Sequence, residues 1–269
     1  MRTAEVTLAV VTGGLDGRIA LITGVSRRVG IGFALAARLL AEGASVIVQS
    51  WTPHDTDQPW GADPDGIDGV IGALGTPDRV GHLEIDLADP DAPARVVAAA
   101  NDRFGTVDVL VANHARSSRQ SLESLTAAEL DLTWAVNTRA TLLLTQAFGA
   151  QHNDARPGGR VVLFTSGQHL APMNSELPYA VTKGAIHQMT RSLAAHLAPR
   201  QITVNAVNPG PTDTGWATPD LADAVARSMP FGRWGEPNDV ANLVAFLVSD
   251  EGAWITGQVI DSEGGFLRS

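Results

Sequence analysis

The 269-residue sequence has no cysteine, which excludes disulfides, thiol catalysis and thiolate metal sites. Basic residues are few: 19 Lys and Arg stand against 29 Asp and Glu, so the net charge is −10. Without a basic stripe to release counterions, we expect no nucleic-acid partner. The amino terminus has Glu5 beside a short apolar run and makes a poor signal peptide. Uncharged runs also stay well below the ~20 residues of a membrane span, so we expect a cytoplasmic protein without a membrane partner.

We expect no metal site. The seven histidines lack a spacing such as His-x3-His on one helix, and we interpret them as polar residues of the surface or of a substrate lid. Hydrophobic residues make up 44% of the chain, which is ordinary for a globular protein. Its size is that of one domain, predicted over residues 15–269. Residues 1–14 form an extension before it, either loose or an extra edge strand.

The chemistry is concentrated between residues 160 and 183. Residues 160–165 are apolar and β-branched and predict a buried strand, which places Ser166 at the carboxyl end where open α/β sheets bind ligands. From Pro178 onward, apolar residues recur every three to four positions, which predicts a helix. Tyr179 and Lys183 are four residues apart on it and therefore share one face.

A tyrosine beside a cation can exchange protons more readily than a free one. The unperturbed phenol titrates near ~10, and a neighbouring ammonium lowers that pKa. Such a tyrosine can act as general acid or base while a serine hydroxyl holds a carbonyl or alkoxide oxygen. A Tyr-x3-Lys pair alone is common by chance. Ser166, thirteen residues ahead of Tyr179 at a strand end, makes chance a poorer explanation.

This Ser-x12-Tyr-x3-Lys pattern resembles the short-chain dehydrogenase/reductase family, including its 3-oxoacyl-acyl-carrier-protein reductase-like members. The resemblance implies a nicotinamide-dependent oxidoreductase acting on a carbonyl/alcohol pair. Tyr179 would donate the proton to the carbonyl oxygen, and Ser166 would hydrogen-bond that oxygen. Lys183 would lower the tyrosine pKa and hold the nicotinamide ribose. Asn137, 29 residues before Ser166, would anchor a proton-relay water.

A glycine-rich loop follows the first predicted strand, residues 18–23, and precedes a helix that runs to Leu40. Such a loop cradles a pyrophosphate, because glycines let the backbone approach and the helix amino end offers free N–H groups. Five residues separate its first two glycines, whereas the family's TGxxxGxG has three. The cofactor contacts predicted here are Gly24, Ser26, Arg27, Arg28, Gly30, Ile31 and Gly32.

Further cofactor contacts are implied by the resemblance at three later strand ends. An Asp-Leu pair follows the third strand at the family's adenine-contacting position, although an Asp there is as often a cap. Ala112-Asn-His-Ala115 stands where the family has Asn-Asn-Ala-Gly, and residues 208–214 resemble its Pro-Gly-x3-Thr loop over the nicotinamide. These contacts are Asp86, Leu87, Asn113, Tyr179, Lys183, Pro209, Gly210, Thr212 and Thr214.

NADP(H) is the favoured cofactor, with NAD(H) as the alternative. NAD-selective folds place an acidic residue at the end of the second strand, and here that end is Gln49-Ser-Trp51. Arg27 and Arg28 could bind a 2′-phosphate through paired hydrogen bonds. Asp55 and Asp57 follow closely, however, and either could supply the missing acid.

Alternating strands and helices predict a single-domain, Rossmann-like α/β fold: a doubly wound parallel sheet of about seven strands with helices on both faces. Between the second and third strands we expect a short helix near residues 64–74, and a helix opened by Asp89-Pro90 follows the third. One long helix over residues 127–151 would contain Asn137. The later strands are predicted over residues 107–112, 160–165, 201–205 and 255–260.

Substrate and assembly are predicted only in outline. A lid over residues 215 to about 230, with Trp216, Met229 and Phe231, indicates an apolar ketone or alcohol. Small residues on the tyrosine helix allow close helix contact, and the resemblance implies a homo-oligomer, a tetramer or a dimer. They are Ala180, Gly184, Ala185, Ser192 and Ala195. Two other functions stay open: a non-catalytic nucleotide-sensing protein of the same fold, and a lyase or epimerase on it.

Overall fold

The computed structural model describes residues 14–156 and 158–267, so all but the last residue of the predicted extension lies outside the description. Seven parallel strands form one sheet in the order β3-β2-β1-β4-β5-β6-β7. The strands are β1 (Ile19–Thr23), β2 (Ser45–Ser50), β3 (Val80–Glu84), β4 (Val109–Ala112), β5 (Arg160–Phe164), β6 (Thr203–Asn208) and β7 (Val259–Asp261). The strand order reverses between β1 and β4, and ligands bind at such a switch point.

Helices cover both faces of the sheet. They are α1 (Ile31–Ala41), α2 (Thr52–Thr56), α3 (Gly66–Ala73), α4 (Ala92–Phe104), α5 (Ala127–Trp134), α6 (Ala140–Gln151), α7 (Leu177–Leu197), α8 (Pro219–Ser228) and α9 (Pro237–Val248). The apolar residues of α1, α3 and α9 pack in one core layer, and those of α4, α6 and α7 pack in the other. Strand β1 is buried along its whole length, as expected of a parallel sheet covered on both sides. The predicted doubly wound fold of seven strands is confirmed.

Several predicted boundaries are wrong by a few residues. The sixth strand was expected over residues 201–205 but begins at Thr203, because Gln201 has a left-handed φ of 57° that ends the preceding helical turn. The last strand was expected over residues 255–260 but spans only the three residues of β7. Helix α4 begins at Ala92 rather than at Asp89-Pro90. The short α2 was not predicted.

The predicted helix over residues 127–151 is interrupted. Residues Ala135–Arg139 form a π-helical turn between α5 and α6, and Asn137 lies in it fully buried. The hydroxyl of Thr141 donates to the Asn137 carbonyl oxygen over 2.7 Å. Single π turns inside helices are frequent at functional sites. Helices long and apolar enough to cross a membrane do not occur in the described part of the chain.

Candidate active site

Most of the predicted site residues meet around one cavity of about 660 Å³ at the carboxyl ends of the strands. The loops after β1, β2, β4, β5 and β6 all contribute to its wall. Fifteen of the predicted residues line it: Gly24, Ser26, Arg27, Gly30, Ile31, Gly32, Asp86, Leu87, Asn113, Ser166, Tyr179, Pro209, Gly210, Thr212 and Thr214. Three predicted residues do not line the cavity. Arg28 faces a second cavity, whereas Asn137 and Lys183 are buried behind the wall.

The glycine loop is shaped by close backbone approach. A Cβ on Gly24, whose φ is +74°, would lie 2.8 Å from the Cα of His114, and one on Gly32 would lie 2.3 Å from the Gly24 carbonyl oxygen. Gly30 is the N-cap of α1 and brings no side-chain cap, so the first N–H groups of the helix are left to the cavity. These features fit the pyrophosphate of a dinucleotide, because backbone donors and the helix dipole favour phosphate charge there.

Gln49, at the end of β2, holds this long loop in place. Its side-chain oxygen accepts from the Gly24 N–H over 3.1 Å, and its amide donates to the carbonyl oxygens of Ser50 and Ile85. The backbone carbonyl of Gln49 also accepts from the Val25 N–H. NAD-selective folds place a carboxylate at this position. Here the Gln49 side chain is used instead in hydrogen bonds to the backbone.

The two arginines of the loop have different surroundings. Arg27 lines the cavity, stacks over the ring of Trp60 at 5.6 Å and lies with its Nε 3.3 Å from Asp55. Ser26 donates its hydroxyl to the same Asp55 carboxylate. An arginine, a serine and an aspartate therefore stand together on the cavity wall beyond the glycine loop.

The prediction that Arg28 binds a cofactor phosphate is not supported. Its guanidinium pairs with Asp63 at 2.7 Å and with Asp65 at 2.5 Å, and its N–H donates to Asp63. The Arg28 hydrogen bonds hold the pKa of Asp63 at about 2. Arg28 faces a second, smaller cavity, because these two carboxylates from the segment before α3 draw it away from the main one. Both aspartates lie in a segment for which the sequence predicted only a short helix.

Ser166, Tyr179 and Lys183 come together where β5 meets the start of α7. The Ser166 side chain lies close enough to the Tyr179 phenol to lower its pKa. Lys183 is 2% exposed behind them, and its Nζ donates to the Phe164 carbonyl oxygen over 2.8 Å. That Nζ lies 5.5 Å from the centre of the tyrosine ring. Tyr179 is the only tyrosine and Lys183 the only lysine of the whole sequence.

Burial dominates the titration of both groups. It raises the pKa of Tyr179 to about 12, with the Ser166 hydrogen bond opposing and Glu176 adding to the rise. It lowers the pKa of Lys183 to about 7. The expected lowering of the tyrosine pKa by Lys183 is wrong for the protein groups alone, because Lys183 is not among the groups that shift this pKa and its amine donates a hydrogen bond to the Phe164 carbonyl oxygen.

Asn137 lies behind the cavity wall and hydrogen-bonds the backbone of a residue that lines it. Its Oδ1 accepts from the Arg116 N–H over 2.6 Å, and its Nδ2 donates to the Arg116 carbonyl and to the Thr182 hydroxyl. The π turn thereby ties the loop after β4 to α7, one residue before Lys183. Asn113, three residues earlier in that loop, donates from Nδ2 to the carbonyls of Thr23 and Gly24 at 3.1 Å each.

His114 corrects the prediction that the histidines lie on the surface or in a lid. It is 7% exposed, and burial lowers its pKa to about 3, so the ring is neutral at physiological pH. Its Nδ1 lies 2.7 Å from the Thr23 hydroxyl and its Nε2 lies 2.9 Å from the Val136 carbonyl. A neutral ring satisfies both by accepting from the hydroxyl and donating to the carbonyl. Three-ligand metal groups are absent from the part of the chain that is described.

Part of the cavity wall is aromatic. Trp216 and Trp234 line it as an edge-to-face pair with ring centres 5.6 Å apart. Both indole N–H groups are used within the protein, by the carbonyls of Thr212 and Ala222. A backbone bridge between Thr212 and Gly235 brings the two tryptophan segments together. Trp234 was missed from sequence, because its partner segment lies eighteen residues away across α8.

Only part of the predicted lid reaches the cavity. Helix α8, inside residues 215–230, has no buried residue, and Val225 on it lines the cavity. Met229 is buried at 6% exposure below it, whereas Phe231 is 78% exposed, and neither lines the cavity. Of the three large side chains predicted to contact substrate, Trp216 alone lines the cavity.

Comparison with known proteins agrees with this geometry. A family model described as Enoyl-(Acyl carrier protein) reductase matches residues 24–267. The oxidoreductase YjdA of Bacillus subtilis (strain 168) is 41% identical over 252 residues, which are 93% of this chain and 97% of the relative.

Two solved structures share the fold. A short-chain dehydrogenase from Burkholderia cenocepacia J2315 in complex with NADP is 35% identical, with a TM-score of 0.82 over 93% of this chain and 98% of its own. LugOII, a promiscuous reductase that catalyses keto-reduction at C1 during lugdunomycin biosynthesis, is 37% identical, with a TM-score of 0.80 over 93% and 98%. The chain belongs to the short-chain dehydrogenase/reductase family of oxidoreductases.

Proposed function

We propose that the protein transfers a hydride between NADP(H) and a ketone/secondary-alcohol pair, with Tyr179 as general acid and base. One observation carries the proposal: the only tyrosine and the only lysine of the chain meet Ser166 at one end of a cavity whose other end is a glycine-lined helix amino terminus. A bound nicotinamide supplies or accepts the hydride. The rest of the chemistry is done by the residues of the chain.

Reduction needs an acid that is still protonated at neutral pH. Burial and the carboxylate of Glu176 keep the Tyr179 phenol protonated, since both raise its pKa. The Ser166 hydroxyl holds the substrate oxygen beside the phenol, and the phenol donates its proton to that oxygen as charge develops there. Lys183 lies behind the tyrosine with a pKa near neutrality, so it can return a proton to the site from the protein side. In the reverse direction, Tyr179 accepts the alcohol proton.

The cofactor preference rests on the wall beyond the glycine loop. Gln49 stands at the end of β2 in place of a carboxylate, and Arg27 faces the cavity. The Burkholderia cenocepacia structure, which contains NADP, supports the same choice. Asp55 opposes it, because its carboxylate lies beside Arg27 and Ser26 and would repel a 2′-phosphate. We favour NADP(H) because Arg27 offers the phosphate a cation that can donate two parallel hydrogen bonds.

The cofactor preference is tested by the ratio of kcat/KM for NADPH and NADH. We expect the native protein to prefer NADPH and Arg27→Ala to lose much of that preference. Arg28→Ala is the matched control, because Arg28 is adjacent in sequence but faces away from this cavity. A native preference for NADH, or a preference for NADPH that Arg27→Ala leaves unchanged, would contradict the proposal.

The activity itself is tested with a panel of aromatic and aliphatic ketones, followed by the loss of reduced-nicotinamide absorbance. We expect stoichiometric consumption of cofactor with at least one aromatic ketone, because the indole pair lines the substrate end and LugOII carries out keto-reduction. Binding of cofactor without turnover of any ketone would instead support a nucleotide-sensing protein. Conversion of substrate without net cofactor consumption would support a lyase or epimerase.

A further inference from the structure

Glu176 is a carboxylate in the cavity that the proposed reaction does not use. It lies at the N-cap of α7, three residues before Tyr179, and lines the cavity. A side chain at an N-cap ordinarily accepts from the first helical N–H groups, but the Glu176 carboxylate does not. Within residues 14–156 and 158–267 the carboxylate oxygens of Glu176 make no hydrogen bond or ion pair. They are also not among the buried atoms that lack a partner. The carboxylate is therefore open to a ligand in the cavity.

The surroundings of Glu176 limit what that ligand can carry. Burial raises the pKa of Glu176, and the charge of Arg119, which lines the same cavity, opposes this rise. A second cation brought in by a ligand would be repelled by the Arg119 guanidinium. A neutral hydroxyl can donate to the carboxylate without that repulsion. Hydrogen bonds to a charged acceptor are also about twice as strong as neutral ones.

The distance between Glu176 and Tyr179 determines how far the ligand hydroxyl must lie from the carbonyl group of the same ligand. Residues three apart at the start of a helix lie ~5–6 Å from each other between Cβ atoms. The charge of Glu176 also acts on the tyrosine, since it contributes to the raised pKa of that phenol. If the carbonyl oxygen of a substrate meets Tyr179, a substituent a few bonds from that carbonyl would therefore lie beside Glu176. The aromatic pair Trp216 and Trp234 in the cavity wall favours a flat ring system.

We propose that Glu176 determines substrate specificity by accepting a hydrogen bond from a phenolic or alcoholic hydroxyl on a flat aromatic ketone. This rests on the proposed function, because it assumes that Tyr179 meets the carbonyl oxygen. Glu176 then acts as a substrate-binding residue that fixes which face and which end of the ketone reach the site. Ketones of the same shape whose hydroxyl is methylated lose this contact and leave the carboxylate without a donor.

The test uses the hydroxytetralones with the hydroxyl at each aromatic-ring position, each paired with its methyl ether. Turnover is followed by cofactor absorbance, and binding by quenching of indole fluorescence, since Trp51, Trp60, Trp216 and Trp234 all line the cavity. A hydrogen bond to a carboxylate is worth ~1.5–3 kcal/mol, so we expect at least one isomer to exceed its ether by ~10-fold or more in kcat/KM. Glu176→Leu should abolish that ratio mainly through KM, and Glu176→Gln should retain part of it.

Glu123→Gln is the matched control, because Glu123 is exposed, accepts a hydrogen bond from the Ser121 hydroxyl and does not line the cavity. We expect it to leave the ratio unchanged. A native enzyme without preference for any hydroxyl isomer, or a Glu176→Leu variant that slows hydroxytetralone and ether equally, would overturn the assignment. If no tetralone is reduced, the proposed activity fails while the binding measurement still decides on Glu176. In that case, equal dissociation constants for each pair in the native protein would refute its role.

Discussion

The buried lysine offers the sharpest quantitative prediction. Lys183 is 2% exposed, and burial lowers its pKa from the ordinary 10.5 to about 7. Carboxylates within ion-pair distance of its Nζ are absent among the described residues, so little offsets the loss of hydration. Because it is the only lysine, protein labelled with isotopic lysine shows a single side-chain resonance. We expect that resonance to titrate with a midpoint about three units below that of a free lysine.

The same pKa difference makes stability depend on pH. Between about 7 and 10.5 the unfolded chain holds a proton that the folded protein has lost, so the free energy of unfolding rises with pH across this window. At ~1.4 kcal/mol per unit, the difference amounts to about 5 kcal/mol lost at and below neutral pH. Lys183→Met removes the amine and keeps an unbranched side chain. The variant should therefore be more stable than the native protein by a few kcal/mol at about pH 6.

The assay is urea unfolding of both proteins at several pH values, with activity measured in parallel. We expect the stability advantage of Lys183→Met to shrink as pH rises toward 10.5, while its turnover is strongly reduced at every pH. Lys183→Arg is the control, because it keeps a charge that cannot be released and should be less stable than the native protein. A lysine resonance with an unshifted midpoint, or a methionine variant with no advantage near neutral pH, would refute the reasoning.

Three further predictions concern the cavity wall and assembly. Trp216→Ala should raise KM for bulky ketones more than it lowers kcat, since burial of such a side chain is worth ~1.5–3 kcal/mol. Phe231→Ala is the control and should leave both constants unchanged, because Phe231 is exposed. Equal constants for the native protein and both variants would place Trp216 outside the substrate site. Asn137→Ala leaves the Arg116 N–H without its acceptor and should cost ~1–3 kcal/mol of stability in thermal or urea unfolding, and an unchanged midpoint would contradict this. We expect light scattering at micromolar concentration to show a homo-oligomer, because α5 exposes Trp134 at 44%, and a monomer would be the contrary result.

The fold was accessible from the sequence because its strands are nearly continuous runs of apolar, β-branched residues. Buried parallel strands produce such runs, and residues 18–23 and 160–165 show them without ambiguity. The interruption of the helix over residues 127–151 was not accessible. It places Asn137 in hydrogen bonds with Arg116 and Thr182, which are 21 and 45 residues away in the chain. Local patterns carry no information on partners at such separations.

The meeting of three predicted site residues was accessible from the sequence for a related reason. Ser166, Tyr179 and Lys183 stand on one strand–helix unit, so their spacing already determines that they meet. Charge partners were predicted poorly. Arg28 was assigned to the cofactor because nothing in its neighbourhood shows that Asp63 and Asp65 would pair with it. The direction of the Tyr179 pKa shift likewise depends on burial.

The role of Tyr179 is tested most directly by Tyr179→Phe, with turnover and cofactor affinity measured on the same preparation. The ring keeps its packing while the proton is removed, so we expect kcat to fall by ~100-fold or more, as is typical of losing a general acid. The dissociation constant for the cofactor should stay within a factor of ~2, because phenylalanine leaves the helix and the glycine loop unchanged. Near-native turnover in this variant would show that Tyr179 is not the acid and that the proposed reaction is wrong.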